Sequence, residues 1–404
     1  MALTLLVLDN PVQNYAWGSR TAIATFLGRP APSQQPEAEL WIGAHPKAPS
    51  RAVPLASATA GADDRLDHLI RADADAILGS AVRDRFGPQL PFLLKVLAAA
   101  EPLSIQAHPN QEQARAGFAR ENAALVPLDS PRRNYRDANH KPELVCALTP
   151  FDALQGFRTP EAIARCLEPI AGRELQDILG EARNADPDAL RGLLQRLLAL
   201  RADERGPLLA RAAAEASRRG GADRAWLWVS RLLARYPGDT GALAPLYLNL
   251  VTLQPSEALY LPAGELHAYL EGTALEIMAN SDNVLRGGLT PKHVDVDELL
   301  ATLVFEPRPP DVLHGVEASP GERTYRTPAR EFELSLIDVA PGREHASASS
   351  HGVEILLGVS GDASVRADGA SASLARGRAV LAPASLPAYT LTGEGRVARA
   401  RVPS

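Results

Sequence analysis

One stretch constrains the fold more than any other. Leu103-Ser104-Ile105-Gln106-Ala107-His108-Pro109-Asn110 closes an apolar run that begins at Pro91. From Pro91 to Ala100 nearly every residue is Leu, Val, Phe or Ala, with Lys95 the lone charge, a pattern that predicts a buried strand. Side chains of an extended segment alternate between faces, so Ser104, Gln106 and His108 share one side, and Leu103, Ile105 and Ala107 the other. A row of coordinating groups on a buried strand is half of a metal site, because zinc takes four donors and a catalytic site keeps one position for water or substrate. Two later segments offer the other half. Asn139-His140-Lys141-Pro142-Glu143 packs an imidazole, an ammonium and a carboxylate together, and Pro262-Ala263-Gly264-Glu265-Leu266-His267 is a tight turn that presents a His at the start of the next strand.

Length and charge narrow the class. A chain of 404 residues with 46% apolar side chains is long enough for real cores, and about two or three domains are expected. Its 42 Lys and Arg against 48 Asp and Glu give a formal charge of -6, which excludes the basic field of a nucleic-acid binder. An anionic ligand must therefore be met by local cations. Cys146 and Cys166 are the only cysteines, too few for a disulfide framework or a Cys-based zinc cluster, and they read as small apolar fillers in a reducing cytoplasm. Met1 to Asp9 has no positive leader and reads as a first strand rather than a signal peptide. No stretch approaches the ~18 apolar residues of a membrane span. A monomer is expected.

Three regions follow in order. Up to about residue 155 the pattern is mixed, with a short helix over Arg20–Leu27 and a strand over Glu37–Ala44 that places Glu39 and Trp41 on one face. A helix is predicted over Asp63–Leu78 and another over Gln111–Asn122. From Thr159 to about Arg235, Ala, Leu and Arg dominate and apolar residues recur at helical steps. Thr159-Pro160 and Asp186-Pro187 each read as an N-cap followed by Pro in the first turn. This part is expected to be a helical subdomain inserted into a β unit, with no chemistry of its own. From about Leu246 onward, short β segments return at a spacing of roughly 8 to 12 residues. Glu354 to Val402 repeats the pattern without clustered His, Glu or Gln. The expected architecture is mainly β with an α insert: two cupin-like jelly-roll barrels, one equipped with ligands and one bare. The corresponding boundaries are 1–155 with 246–307, an insert at 156–245, and 308–404.

Further chemistry is concentrated in Ala274 to Lys292. Glu276 interrupts an apolar strand, Asn280-Ser281-Asp282-Asn283 makes a polar turn, and Arg286 stands between apolar residues and two glycines. Glycine lets a ligand approach the backbone, and an arginine there can fork two hydrogen bonds to a phosphate or carboxylate. Glu143, at the mouth of the apolar run Leu144–Leu148, is costly to bury unless a cation or metal pairs with it.

Together these motifs resemble one family, the type I mannose-6-phosphate (phosphomannose) isomerases. Gln13-Asn14-Tyr15-Ala16-Trp17-Gly18-Ser19, Gln106-Ala107-His108-Pro109-Asn110, Asn139 to Glu143, and Ala279 to Arg286 through Thr290-Pro291-Lys292 all look like its signatures. The resemblance implies one Zn2+ held by Gln106, His108, Glu143 and His267, an active-site arginine at Arg286, and reversible conversion of mannose 6-phosphate to fructose 6-phosphate through a cis-enediol. The carbon-acid base is left between Glu276 and His140, with Lys141 as a proton carrier or charge stabiliser. Arg286 and Lys292 would hold the phosphate or the enediolate, with Lys95 and Ser104 as weaker phosphate candidates. An iron-dependent cupin dioxygenase and a non-catalytic sugar-phosphate sensor are the alternatives. The first prefers more His donors than this set offers, and the second has no use for His140, Lys141 and Glu276 together.

Overall fold

The computed structural model describes residues 4–54, 64–183, 188–349 and 351–403. Two large antiparallel sheets dominate, and helices cover one side. The run after Pro91 is the strand Phe92–Ala99, buried along its whole length. Its neighbours are Glu39–Gly43 on one side and His267–Ala279 on the other, and the latter pairs in turn with Glu143–Ala147. Alternation divides this sheet cleanly. Leu40, Ile42, Leu94, Val96, Leu144, Cys146, Leu275 and Ile277 share a core with Leu334, Leu336, Ile355 and Leu357 of the C-terminal sheet, while the polar residues Glu39, Lys95, Glu143 and Glu276 share the opposite face, Lys95 directly across from Glu276.

Helices from Pro160 to Tyr247 separate the strands Phe151–Phe157 and Leu248–Leu253. Their apolar faces share a core with Ile105, Ala107, Leu266, Ala268, Leu270 and Leu285. The helices thus bury the back of the strands whose front carries Gln106 and His267. Thr159 caps its helix as expected, its hydroxyl accepting from the Ala162 amide with Pro160 in the first turn. The predicted Asp186-Pro187 cap falls outside the described residues.

Two expectations differ from the structure. The helix over Asp63–Leu78 is two, Leu66–Ala72 and Ala74–Leu78. Asp73 leaves helical geometry (φ -147°, ψ 69°) and its carboxylate accepts from the Ala76 amide, so a side chain that favours caps ends one helix and starts the next. Residues 1–54 do not belong wholly to the catalytic unit. Leu6–Asp9 pairs with Ala379–Ala382 and with Arg51–Pro54, both within the C-terminal sheet, and residues 1–3 of the expected first strand lie outside the described residues. The C-terminal unit carries no metal-capable group of His, Cys, Asp and Glu among the described residues, but its interior holds a charge cluster that the sequence reading did not include: Glu322, His345, Glu354 and Arg399 are buried there together. These four come from segments too far apart for spacing to reveal.

Candidate metal centre

The centre is framed by the long strand His267–Ala279, which changes partners midway. Its first half pairs with Ile105–Ala107 and Phe151–Phe157, its second with Phe92–Ala99 and Glu143–Ala147. Gly272 makes the corner possible. Its φ is +127°, and a Cβ there would lie 2.6 Å from the Pro150 carbonyl. A cavity of about 50 Å³ opens among these strands, with Gln106, Lys141, Glu143, His267, Tyr269 and Glu276 on its walls.

Three donors converge on it. His108 Nε2 stands 3.4 Å from Glu143 Oε1, and His267 Nε2 stands 3.4 Å from Glu143 Oε2. One ligand atom of each residue falls within 4.8 Å of the other two. Each imidazole is aimed by its other nitrogen: His108 Nδ1 lies 2.8 Å from the Asn283 carbonyl and His267 Nδ1 lies 3.0 Å from the Glu265 carbonyl. A carbonyl only accepts, so each Nδ1 carries a proton and each Nε2 is turned toward Glu143. Buried His108 Nε2 has no hydrogen-bond partner among the described residues, the kind of orphan that a cation would satisfy. The Pro262–His267 turn belongs to the same construction, because the Gly264 amide (φ +76°) donates to the His108 carbonyl at 2.8 Å.

Gln106 joins the set in register, opposite His267 on one side and Arg286 on the other. Its amide nitrogen donates to Ser104 Oγ at 3.2 Å, which leaves the amide oxygen available as a ligand. Ser104 is therefore an orienting group at the cavity wall. Leu103, expected on the opposite face, also lines the cavity, because the strand begins only at Ile105.

The electrostatics suit a cation. Burial works against the Glu143 charge, but Lys141 Nζ at 2.9 Å and the two imidazoles hold its carboxyl well below the usual range. Burial, then Lys141, pushes His108 down to about 4, so it is neutral and able to ligate near neutral pH. Lys95, expected as a phosphate contact, is instead consumed. It is buried 2.7 Å from Glu276 Oε2 and 3.6 Å from Glu39 Oε1, and Trp41 Nε1 donates to Glu39 Oε2 at 2.6 Å. Although burial disfavours the Lys95 charge, these carboxylates outweigh it and raise its pKa. Burial, with repulsion from Glu143 and Glu39, raises Glu276 above an ordinary carboxyl despite Lys95.

His140 is not brought to the centre. Its Nε2 lies 2.9 Å from Glu331, and it lines a separate cavity of about 290 Å³ with Arg85, Gln111 and Arg115. Lys141 and Glu143 line the metal cavity, whereas His140 lines the other one. Arg286 is half-buried and Lys292 is more exposed. Neither has a carboxylate partner among the described residues. Two residues went unnoticed in the sequence. Tyr269 puts a buried hydroxyl with no hydrogen-bond partner among the described residues on the cavity wall, and its position two after His267 on one strand was the available signal. Asn283, fully buried, orients His108 through its backbone carbonyl, which no side-chain pattern reveals.

The architecture and the centre define a mainly β protein with a buried His–Glu–His set able to hold a metal. Residues 5–160 match the family model described as phosphomannose isomerase type I, catalytic domain. The mannose-6-phosphate isomerase of Salmonella typhimurium is 43% identical over 393 residues, 97% of this chain and 98% of the relative. The human mannose-6-phosphate isomerase is 37% identical over 328 residues, 74% of this chain and 73% of that one. A crystal structure of the Salmonella typhimurium enzyme bound to substrate and a zinc atom superposes with a TM-score of 0.91 at 42% identity, covering 99% of this chain and 100% of that one. This chain belongs to the type I phosphomannose isomerase family.

Proposed function

We propose that this protein is a zinc-dependent aldose–ketose isomerase that interconverts mannose 6-phosphate and fructose 6-phosphate. The observation that carries the reading is the convergence of His108, Glu143 and His267, with Gln106 in register beside them, on a cavity that also holds Glu276. The donor set fits zinc: two imidazoles, an amide oxygen and one carboxylate, with second contacts that fix both rings. Zinc, when bound, would supply the positive charge that stabilises oxygen in the cis-enediol without any change of oxidation state.

The chain's own residues supply the rest. Glu276, raised by burial, is the base that takes the proton from one sugar carbon and returns it to the next. Lys95 holds Glu276 in place, and Lys141 adds charge beside the developing oxyanion. Tyr269 offers its unpartnered hydroxyl to a substrate oxygen. His140, engaged with Glu331, is left out of proton transfer. Arg286 and Lys292 receive the phosphate.

The two β units are read as cupin-like jelly rolls, residues 1–155 with 246–307 and residues 308–404, with 156–245 as the helical insert. The first strand is lent to the second unit. The enzyme is read as a cytoplasmic monomer. The test is a coupled assay on purified protein. Turnover of mannose 6-phosphate, abolished by a chelator, restored by zinc and free of oxygen consumption, supports the isomerase. Oxygen uptake supports the dioxygenase, and zinc-dependent binding without turnover supports the sensor.

A further inference from the structure

Both imidazoles of the metal centre are aimed by a backbone carbonyl, His108 by that of Asn283 and His267 by that of Glu265. The two carbonyls are held differently. Asn283 is fully buried, and its side chain is bonded to the backbone at Arg136 and Asn139. Glu265 is only partly buried, and the chain from Pro262 to Leu266 belongs to no strand. His267 can keep one orientation only if that turn is tied down from outside.

The strand Phe151–Phe157 supplies the tie. Gln155 stands opposite His267 in register, and a bulge follows it, with Gly156 at φ +59°. Bulges re-aim a side chain relative to the strand that carries it. Asn249 Nδ2 fixes this one by donating to the carbonyls of Gln155 at 3.0 Å and Phe157 at 3.1 Å, and the Gly156 amide donates to the Leu266 carbonyl at 2.8 Å. Gln155 is 6% exposed, and its Nε2 donates to the Tyr260 carbonyl at 2.8 Å and to Glu265 Oε1 at 2.6 Å. Both partners are acceptors, so only the NH2 end of the amide fits between them. The Gln155 oxygen has no hydrogen-bond partner among the described residues, so these two donations orient the side chain. Tyr260 precedes the turn, and its neighbour Leu261 is the register partner of Glu143. One amide thus joins the strand beside one metal ligand to the residue whose carbonyl aims another.

We propose that Gln155 is a positioning residue for the metal centre: its amide staples the turn that carries Glu265 and so keeps His267 Nε2 directed at Glu143. The inference rests on the reading of His108, Glu143 and His267 as zinc ligands. Gln155 lines a different cavity, of about 280 Å³, with Tyr260 and Glu265, so it acts through His267 and not on a substrate. Removing a group that orients a ligand from behind costs about 10–100-fold in metal affinity.

The experiment measures the zinc dissociation constant of the full-length wild-type, Gln155→Met, Glu265→Leu and Glu265→Gln proteins by competition with a chromophoric chelator. Gln155→Met, similar in size but with nothing to donate, should weaken zinc binding about tenfold or more. Glu265→Leu should weaken it too, and Glu265→Gln, which returns an oxygen to face Gln155, should recover most of that loss. The double variant Gln155→Met with Glu265→Leu should lose less than the two single losses combined. With cobalt in place of zinc, the visible absorption band of Gln155→Met should move from its wild-type position. In excess zinc, KM for mannose 6-phosphate should stay at the wild-type value. Wild-type zinc affinity in Gln155→Met would overturn the proposal, even if the metal-free protein melts earlier, because the amide would then be merely structural. Fully additive losses in the double variant would overturn it as well. Should Gln155→Met fail to fold, the Glu265 pair decides, and equal zinc affinity in Glu265→Leu and Glu265→Gln would overturn the staple. Zinc binding is read without turnover, so a wild-type protein that binds zinc but leaves mannose 6-phosphate untouched fails the isomerase reading alone, and one that binds no zinc removes the metal centre and this proposal with it.

Discussion

In the catalytic β unit, Lys95 lies between Glu276 at 2.7 Å and Glu39 at 3.6 Å. In the C-terminal unit, Arg399 is ion-paired with Glu322 and lies 4.0 Å from Glu354. Both trios are buried, and both set a cation between carboxylates on different strands. Their surroundings diverge. Beside Lys95 are a cavity and, without a hydrogen-bond partner among the described residues, an imidazole nitrogen and a phenol. Around Arg399, His345 Nε2 and Arg399 Nε also lack a hydrogen-bond partner among the described residues, but the Tyr389 hydroxyl closes on Glu354 and Ile337, Leu356, Val365 and Val397 pack the same interior. A buried charge trio can therefore serve as cross-strand scaffolding. It becomes chemistry only where unspent donors face an open space.

Substitutions should separate the two units. The largest effect is expected from His267→Ala, which removes a donor with no replacement nearby. Elemental analysis should find zinc depleted and activity down on the order of a thousandfold or more; normal zinc content would strike His267 from the ligand set. Next, Glu276→Gln should lower kcat by about a hundredfold or more with zinc retained. Glu354→Gln in the other unit should leave kcat as it is, and equal losses from both would erase the distinction.

Stability should show the reverse. Arg399→Met leaves Glu322 and Glu354 buried without their cation and should cost about 3–5 kcal/mol in denaturant unfolding, with KM and zinc content of the folded protein unchanged. A smaller effect concerns acid. Buried His45 sits edge-on to Trp41 and 3.8 Å from Asp282, and burial, then Lys47 and other lysines against Asp282, leaves its pKa near 4 instead of 6.5. Between those values the unfolded chain binds a proton that the folded one refuses, so stability falls as pH drops from about 6.5 to about 4 and no further below. His45→Asn should flatten that part of the thermal-midpoint profile; an unaltered slope would exclude His45 as its source.

The convergence of His108, Glu143 and His267 was legible as a candidate because each breaks an apolar pattern at a strand end, where a buried polar group needs a reason. The strand over Pro91–Ala100 was legible for the same cause. What escaped was orientation set by distant contacts. His140 and Lys141 are neighbours in sequence but line different cavities. Lys95 looked like an isolated cation until the register placed it against Glu276 and Trp41. Glu322, His345 and Arg399 each look like a lone polar residue in an alternating strand, and their meeting depends on pairings across the whole C-terminal sheet.

The pairing of Leu6–Asp9 with Ala379–Ala382 has a consequence for how the molecule is made. A ribosome releases Leu6–Asp9 and its neighbour Arg51–Pro54 long before Ala379–Ala382 exists, so the other edge of the strand must wait, unpaired, through nearly all of synthesis. Severing the polypeptide between its two β units would leave each half with a raw edge. The seam makes the ends of the chain one cooperative piece.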